Sequence, residues 1–110
     1  MPRAAYLGEL EFLVLLTLDR FDDDAYGMTV YDEIVRVTGR EISVPTVYAT
    51  LTRLERKGYA RSRLGLPTGE RGGRARKLYR MTRAGRGALT RSRRMVEQLW
   101  TPAPKPAPES

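Results

Sequence analysis

Closely spaced cations dominate the reactive side chains of this sequence. The stretch GERGGRARKLYRMT at 69–82 sets Arg71, Arg74, Arg76, Lys77 and Arg80 among three glycines and against one acid. Charge at that density is stabilised by a polyanion, so the chemistry on offer is electrostatic binding of phosphates. The groups needed for other common chemistries are missing. With no cysteine and no histidine in 110 residues, there are no disulfides, no thiolate nucleophiles, and none of the usual general bases or metal ligands. Asp22, Asp23 and Asp24 carry oxygens that suit magnesium or calcium. They lack the periodic ligands of a dedicated loop, however, and read better as a turn and helix cap. Neither an enzyme nor a cofactor or metal is expected.

The cations are unevenly distributed. Residues 1–60 hold seven Lys/Arg against ten Asp/Glu, whereas residues 61–94 hold twelve against one. A basic half on a mildly acidic body is the footprint of a polyanion-binding face, and nucleic acid is the expected polyanion. The longest apolar run, Phe12 to Leu16, is far too short to cross a membrane, and no secretory leader is recognisable. A cytoplasmic protein with no membrane partner is expected. At this length and 41% apolar residues, one domain with a modest core is expected, and chains this short often gain stability by oligomerising.

Several elements must position the basic stretch. Residues 7–18, LGELEFLVLLTL, are apolar around much of a helix, and the second apolar side suggests a partner subunit. A second helix is predicted from about Tyr26 to Thr38, with Val30, Ile34 and Val37 at helical spacing and Gly39 as its stop. The third follows at SVPTVYATLTRLERKG: Ser43 is a natural N-cap, Pro45 fits the first turn, and Gly58 ends the helix. Val47, Leu51 and Leu54 form its buried stripe. Thr46, Ala49, Thr50 and Arg53 are expected to point outward, with Ser43 and Tyr48 at the edges. That outer face is small, hydroxylated and basic, a character suited to close approach to a DNA groove. Alternating residues at 59–64 and 76–81 bracket a glycine-rich loop and read as a long-looped hairpin. Thr82 then caps a last helix carrying Leu89, Val96, Leu99 and Trp100, followed by a proline-rich tail.

Helix, helix, helix, hairpin, helix is the order of a winged helix-turn-helix. The expected fold is mainly α with a small two-stranded wing over residues 7–82, a C-terminal dimerisation helix at 83–100, and an extended, disordered tail at 101–110. The sequence resembles the PadR-like family of transcriptional regulators. The resemblance rests on the Tyr26-Gly27 pair, SVPTVYATLTRLERKGYA at 43–60 and GGRARKLYRMTRAG at 72–85, and it spans roughly residues 7–100. It implies a homodimeric repressor on a palindromic operator in double-stranded DNA, of a kind commonly released by a small-molecule effector. It also implies dimerisation through the C-terminal helix packed with the partner's first helix. The chain looks like the short type with a single C-terminal helix, so any effector pocket would lie at the dimer interface.

On this reading the DNA-facing residues are Ser43, Thr46, Tyr48, Ala49, Thr50 and Arg53 on the third helix, with Arg71, Arg74, Arg76 and Lys77 on the wing. Tyr48 could donate to a phosphate or pack against the hairpin. Leu10, Val14, Leu89, Val96, Leu99 and Trp100 are assigned to the dimer or effector interface, where Trp100 could be a packing residue or a plate for flat ligands. Two other classes fit the basic half: a winged helix that docks an acidic protein, and an RNA-binding module. RNA readers often stack bases on sheet aromatics, and the hairpin offers only Tyr59 and Tyr79.

Overall fold

A computed structural model describes residues 6–21, 24–65 and 76–104, and the order of its elements follows from their termini and stripes. Helix α1 (Glu9–Arg20) begins where the Gly8 amide donates to the Glu11 carboxylate at 2.9 Å. Helix α2 (Gly27–Thr38) stops at Gly39, whose φ of 66° is the left-handed conformation glycine tolerates best. Helix α3 (Val44–Arg56) is capped by the Ser43 hydroxyl, which accepts from the Thr46 amide at 3.3 Å. Gly58, at φ 80°, turns the chain after α3 into the sheet.

Val14, Leu15 and Leu18 of α1, Val30 and Ile34 of α2, and Val47, Leu51 and Leu54 of α3 meet in one core. Fully burying a side chain of this kind is worth about 1.5–3 kcal/mol relative to exposure. The three helices therefore hold one another, and none has to be stable alone. Val37, expected on the buried stripe of α2, is 56% exposed. It lies in the last turn of α2 and lines a groove with Leu13, Leu16 and Ile34 instead of filling the core.

The sheet has one strand more than the expected hairpin. Strand β1 (Ala25–Tyr26) adds to β2 (Ala60–Leu64) and β3 (Lys77–Met81) in the order β1-β3-β2, all antiparallel. Asp24 fixes this arrangement. Its carboxylate accepts from Arg63 of β2 at 2.7 Å and pairs with Arg80 of β3 at 3.2 Å. Arg61 and Arg80 stand directly opposite each other across the ladder, a repulsive placement that the Asp24 carboxylate offsets. The acid that read as part of a turn and cap is thus an anchor for the wing, while Asp22 and Asp23 lie outside the described residues.

Helix α4 (Arg83–Trp100) starts at Thr82, whose hydroxyl accepts from the Gly85 amide at 3.0 Å. Its first half is packed: Gly85, Ala88, Leu89 and Ser92 are buried, and Ser92 accepts from the Leu7 amide at 3.1 Å. From Arg93 to Trp100 every residue is exposed. Among the described residues no helix is long and apolar enough to cross a membrane.

Candidate nucleic-acid interface

Helix α3 presents its outer face between α1 and the wing. Pro45, Thr46, Ala49, Thr52, Arg53 and Arg56 are exposed along it. Ser43 is also exposed, with its hydroxyl 2.6 Å from that of Thr46. Thr50, expected on the same face, is 1% exposed. Its hydroxyl donates to the Thr46 carbonyl at 2.9 Å, the local bond by which a threonine satisfies itself within a helix. In place of Thr50, the outer face carries Thr52 and Arg56, which were not singled out from the sequence. The signal was present there: with Val47 at zero, a helical step puts Thr52 at about 140° and Arg56 at about 180°, opposite the stripe. Arg56 makes no ion pair among the described residues.

Each edge of this face is cationic. On the α1 side, Arg53 and Lys57 both reach the buried carboxylate of Glu11, at 3.2 and 2.8 Å. Burial raises the pKa of Glu11, but the bonds from Lys57, the Gly8 amide and Arg53 outweigh that and hold it below the usual carboxylate value. On the wing side, Arg76 and Lys77 are exposed at the start of β3. Arg71 and Arg74, the other wing cations expected to contact DNA, lie outside the described residues.

Between α3 and the wing lies a recess of about 560 Å³, lined by Tyr26, Gly27, Met28, Tyr48, Thr52, Arg76, Lys77 and Tyr79. Tyr48 is half-buried, and its ring lies over Gly27 at the start of α2. Tyr79 is buried below, where desolvation, with the Glu55 carboxylate and Tyr48 nearby, raises its phenol pKa. A methyl group on Gly27 would stand 2.5 Å from the Tyr48 ring. Gly27→Ala is therefore expected to push Tyr48 off its seat and to destabilise the fold by about 1–3 kcal/mol. Chemical denaturation measures the loss, and an unchanged midpoint would show that the ring moves aside without cost.

The residues assigned to a dimer interface separate into two groups. Val14 and Leu89 are buried in the protomer's own core, because α1 is one of the three core helices and the first half of α4 packs against it. They are not available to a partner. Leu10 is half-buried against that core. Val96 is exposed, and Leu99 and Trp100 are 82% and 87% exposed, on the half of α4 that leaves the domain.

A three-helix core, an open third helix and a basic strand pair beside it define the winged helix-turn-helix class of DNA-binding domains. The chain belongs to the PadR-like family of transcriptional regulators, whose model matches residues 14–91. It is 41% identical over 78 residues to Transcriptional regulator Rv3488 of Mycobacterium tuberculosis, a span that covers 71% of this chain and 68% of that relative. Among solved structures, it is similar to a PadR family transcription regulator of Clostridium difficile R20291, with a TM-score of 0.66 at 24% identity, covering 84% of this chain and 94% of that one. A transcriptional regulator of Clostridium thermocellum gives 0.68 at 25% identity, covering 83% and 82%. The protein is thus a regulator of transcription that works by binding DNA.

Proposed function

We propose that the protein is a repressor that binds a palindromic operator as a homodimer, with α3 of each subunit in successive major grooves. The observation that carries this reading is the outer face of α3. It is small and hydroxylated at Thr46, Ala49 and Thr52, and cationic along both edges and at Arg56. Small side chains admit the helix to the groove, where Arg53 would reach base edges, while Lys57, Arg76 and Lys77 lie where the flanking phosphates would run. Tyr48 lines the recess beside this face, and its hydroxyl would donate to the same backbone. Half-sites would lie about 34–36 Å apart, one helical turn of DNA. The exposed end of α4 supports the dimer, and Trp100 supplies the surface on which an aromatic effector would stack between subunits. Repression then follows from occlusion of a promoter.

Selection of genomic fragments by the purified protein tests this directly and yields operator and half-site spacing together. Recovery of no preferred sequence would count against a site-specific regulator. Arg76→Ala is expected to weaken binding to all sequences alike and to lower the slope of log K against log salt by about one. An unchanged slope would remove Arg76 from the phosphate contacts.

A further inference from the structure

Glu11 is the one acidic side chain buried in the described fold, 5% exposed on a helix whose buried face is otherwise mostly leucine and valine. A buried carboxylate is costly unless it is fully hydrogen-bonded. Glu11 is so bonded, with one oxygen on its own helix and the other on α3. Its Oε1 accepts from the Gly8 amide at 2.9 Å, which ties it to the start of α1. Its Oε2 accepts from Arg53 Nε at 3.2 Å and Lys57 Nζ at 2.8 Å. Arg53 Nη2 is also 3.5 Å from the Thr50 hydroxyl, so the guanidinium is oriented from two sides while Arg53 remains exposed.

We infer that Glu11 is a positioning residue for DNA recognition: it holds Arg53 and Lys57 as a fixed rim on one edge of α3, so that Arg53 meets DNA in a single orientation. The inference rests on the reading of α3 as the DNA-facing helix. An exposed arginine must otherwise give up much rotamer freedom to make a directed contact, and a guanidinium already oriented loses less. The carboxylate also has an opposing effect, because it reduces the charge of the cluster from two positive to one. Removing that charge should strengthen attraction to any DNA while loosening the geometry that discriminates among sequences. A merely structural glutamate would not separate those two effects.

The test compares the selected operator duplex with a shuffled duplex of the same composition, at several salt concentrations. In Glu11→Gln, binding to the shuffled duplex is expected to hold or tighten severalfold, and the salt slope to steepen by about one. Preference for the operator should fall about tenfold, within the range of one lost directed base contact. Glu11→Asp keeps the charge but is one methylene shorter. It is expected to lose preference without the tightening, and it serves where Glu11→Gln unfolds. Adding Arg53→Ala to either variant should lower preference no further than Arg53→Ala alone. Full preference in Glu11→Gln or Glu11→Asp, beside a loss in Arg53→Ala, would overturn the inference. An Arg53→Ala protein that retained full preference would also overturn it, yet leave the DNA-binding reading standing. A wild-type protein that bound neither duplex would remove both.

Discussion

Gly85→Ala is expected to lower the thermal midpoint by at least about 8 °C, the larger of the two stability effects the structure implies. Gly85 is the third residue of α4, and a methyl group there would run into the carbonyl oxygen of Tyr59, with Met81 Cγ 3.0 Å away. The Tyr59 carbonyl cannot easily move. It accepts from the Thr82 amide at 3.0 Å, the Tyr59 amide donates to Leu54 at 2.9 Å, and the Thr82 hydroxyl donates to the Gly58 carbonyl at 2.6 Å. The join between α3, β2 and α4 is therefore pinned on every side. Overpacking usually costs 1–3 kcal/mol, and a backbone obstacle puts this site at about 3 kcal/mol or more. Each kcal/mol is about 4–8 °C in a domain of this size. Alanine's helix propensity returns only about 1 kcal/mol. Gly87→Ala is the matched control. Its methyl group would meet only the flexible end of Arg91 at 3.4 Å, so the propensity gain should dominate and stability should rise. Calorimetry on the two variants decides the matter, and equal midpoints would show that the α3–α4 join is looser than its hydrogen bonds indicate.

Features set by neighbouring residues were legible in the sequence. Ser43 and Thr82 cap their helices, Gly39 and Gly58 end theirs, and Val47, Leu51 and Leu54 form a buried stripe, because each depends on local backbone chemistry or on the helical period. The resemblance carried by Tyr26-Gly27, SVPTVYATLTRLERKGYA and the wing named the family. What one helix alone could not reveal was which neighbour would cover its flanks. Thr50 lies only about 60° from Val47 on the wheel, and the packing of α1 over that side buries it. Val14 and Leu89 looked free for a partner because apolarity does not say whose core it fills. Strand β1 is two residues long, too short for alternation to show, and it exists because β3 offers an edge and Asp24 binds both arginines. Glu11 was hidden for the same reason: its partners stand 42 and 46 residues away.

Leu99→Ser with Trp100→Ser is expected to convert the proposed dimer to monomers and so to abolish tight operator binding. Both side chains are almost fully exposed on the half of α4 that leaves the domain, with Val96 beside them. A tryptophan buries on the order of 150–250 Å² when it packs, and about 25 cal/mol for each Å² makes that worth roughly 4–6 kcal/mol. In a two-fold dimer every substitution acts twice. Even after the costs of association, the pair should raise the dimer dissociation constant by at least about a thousandfold, or roughly 4 kcal/mol. DNA binding follows from that loss. Two linked reading helices bind two half-sites with an avidity gain of about 10²–10⁴, and separated protomers lose it. Binding to a single half-site should be unchanged, because α3 and the wing are untouched. The protomer's own unfolding should hardly shift, because Ala88, Leu89 and Ser92 anchor α4 upstream of the changes. Sedimentation equilibrium and gel shifts on one- and two-half-site duplexes separate these effects. A variant that stayed dimeric would mean that subunits meet elsewhere, with the apolar groove at Leu13, Leu16 and Val37 the next surface to alter. A variant that became monomeric yet bound the full operator as tightly would show that each α3 acts alone.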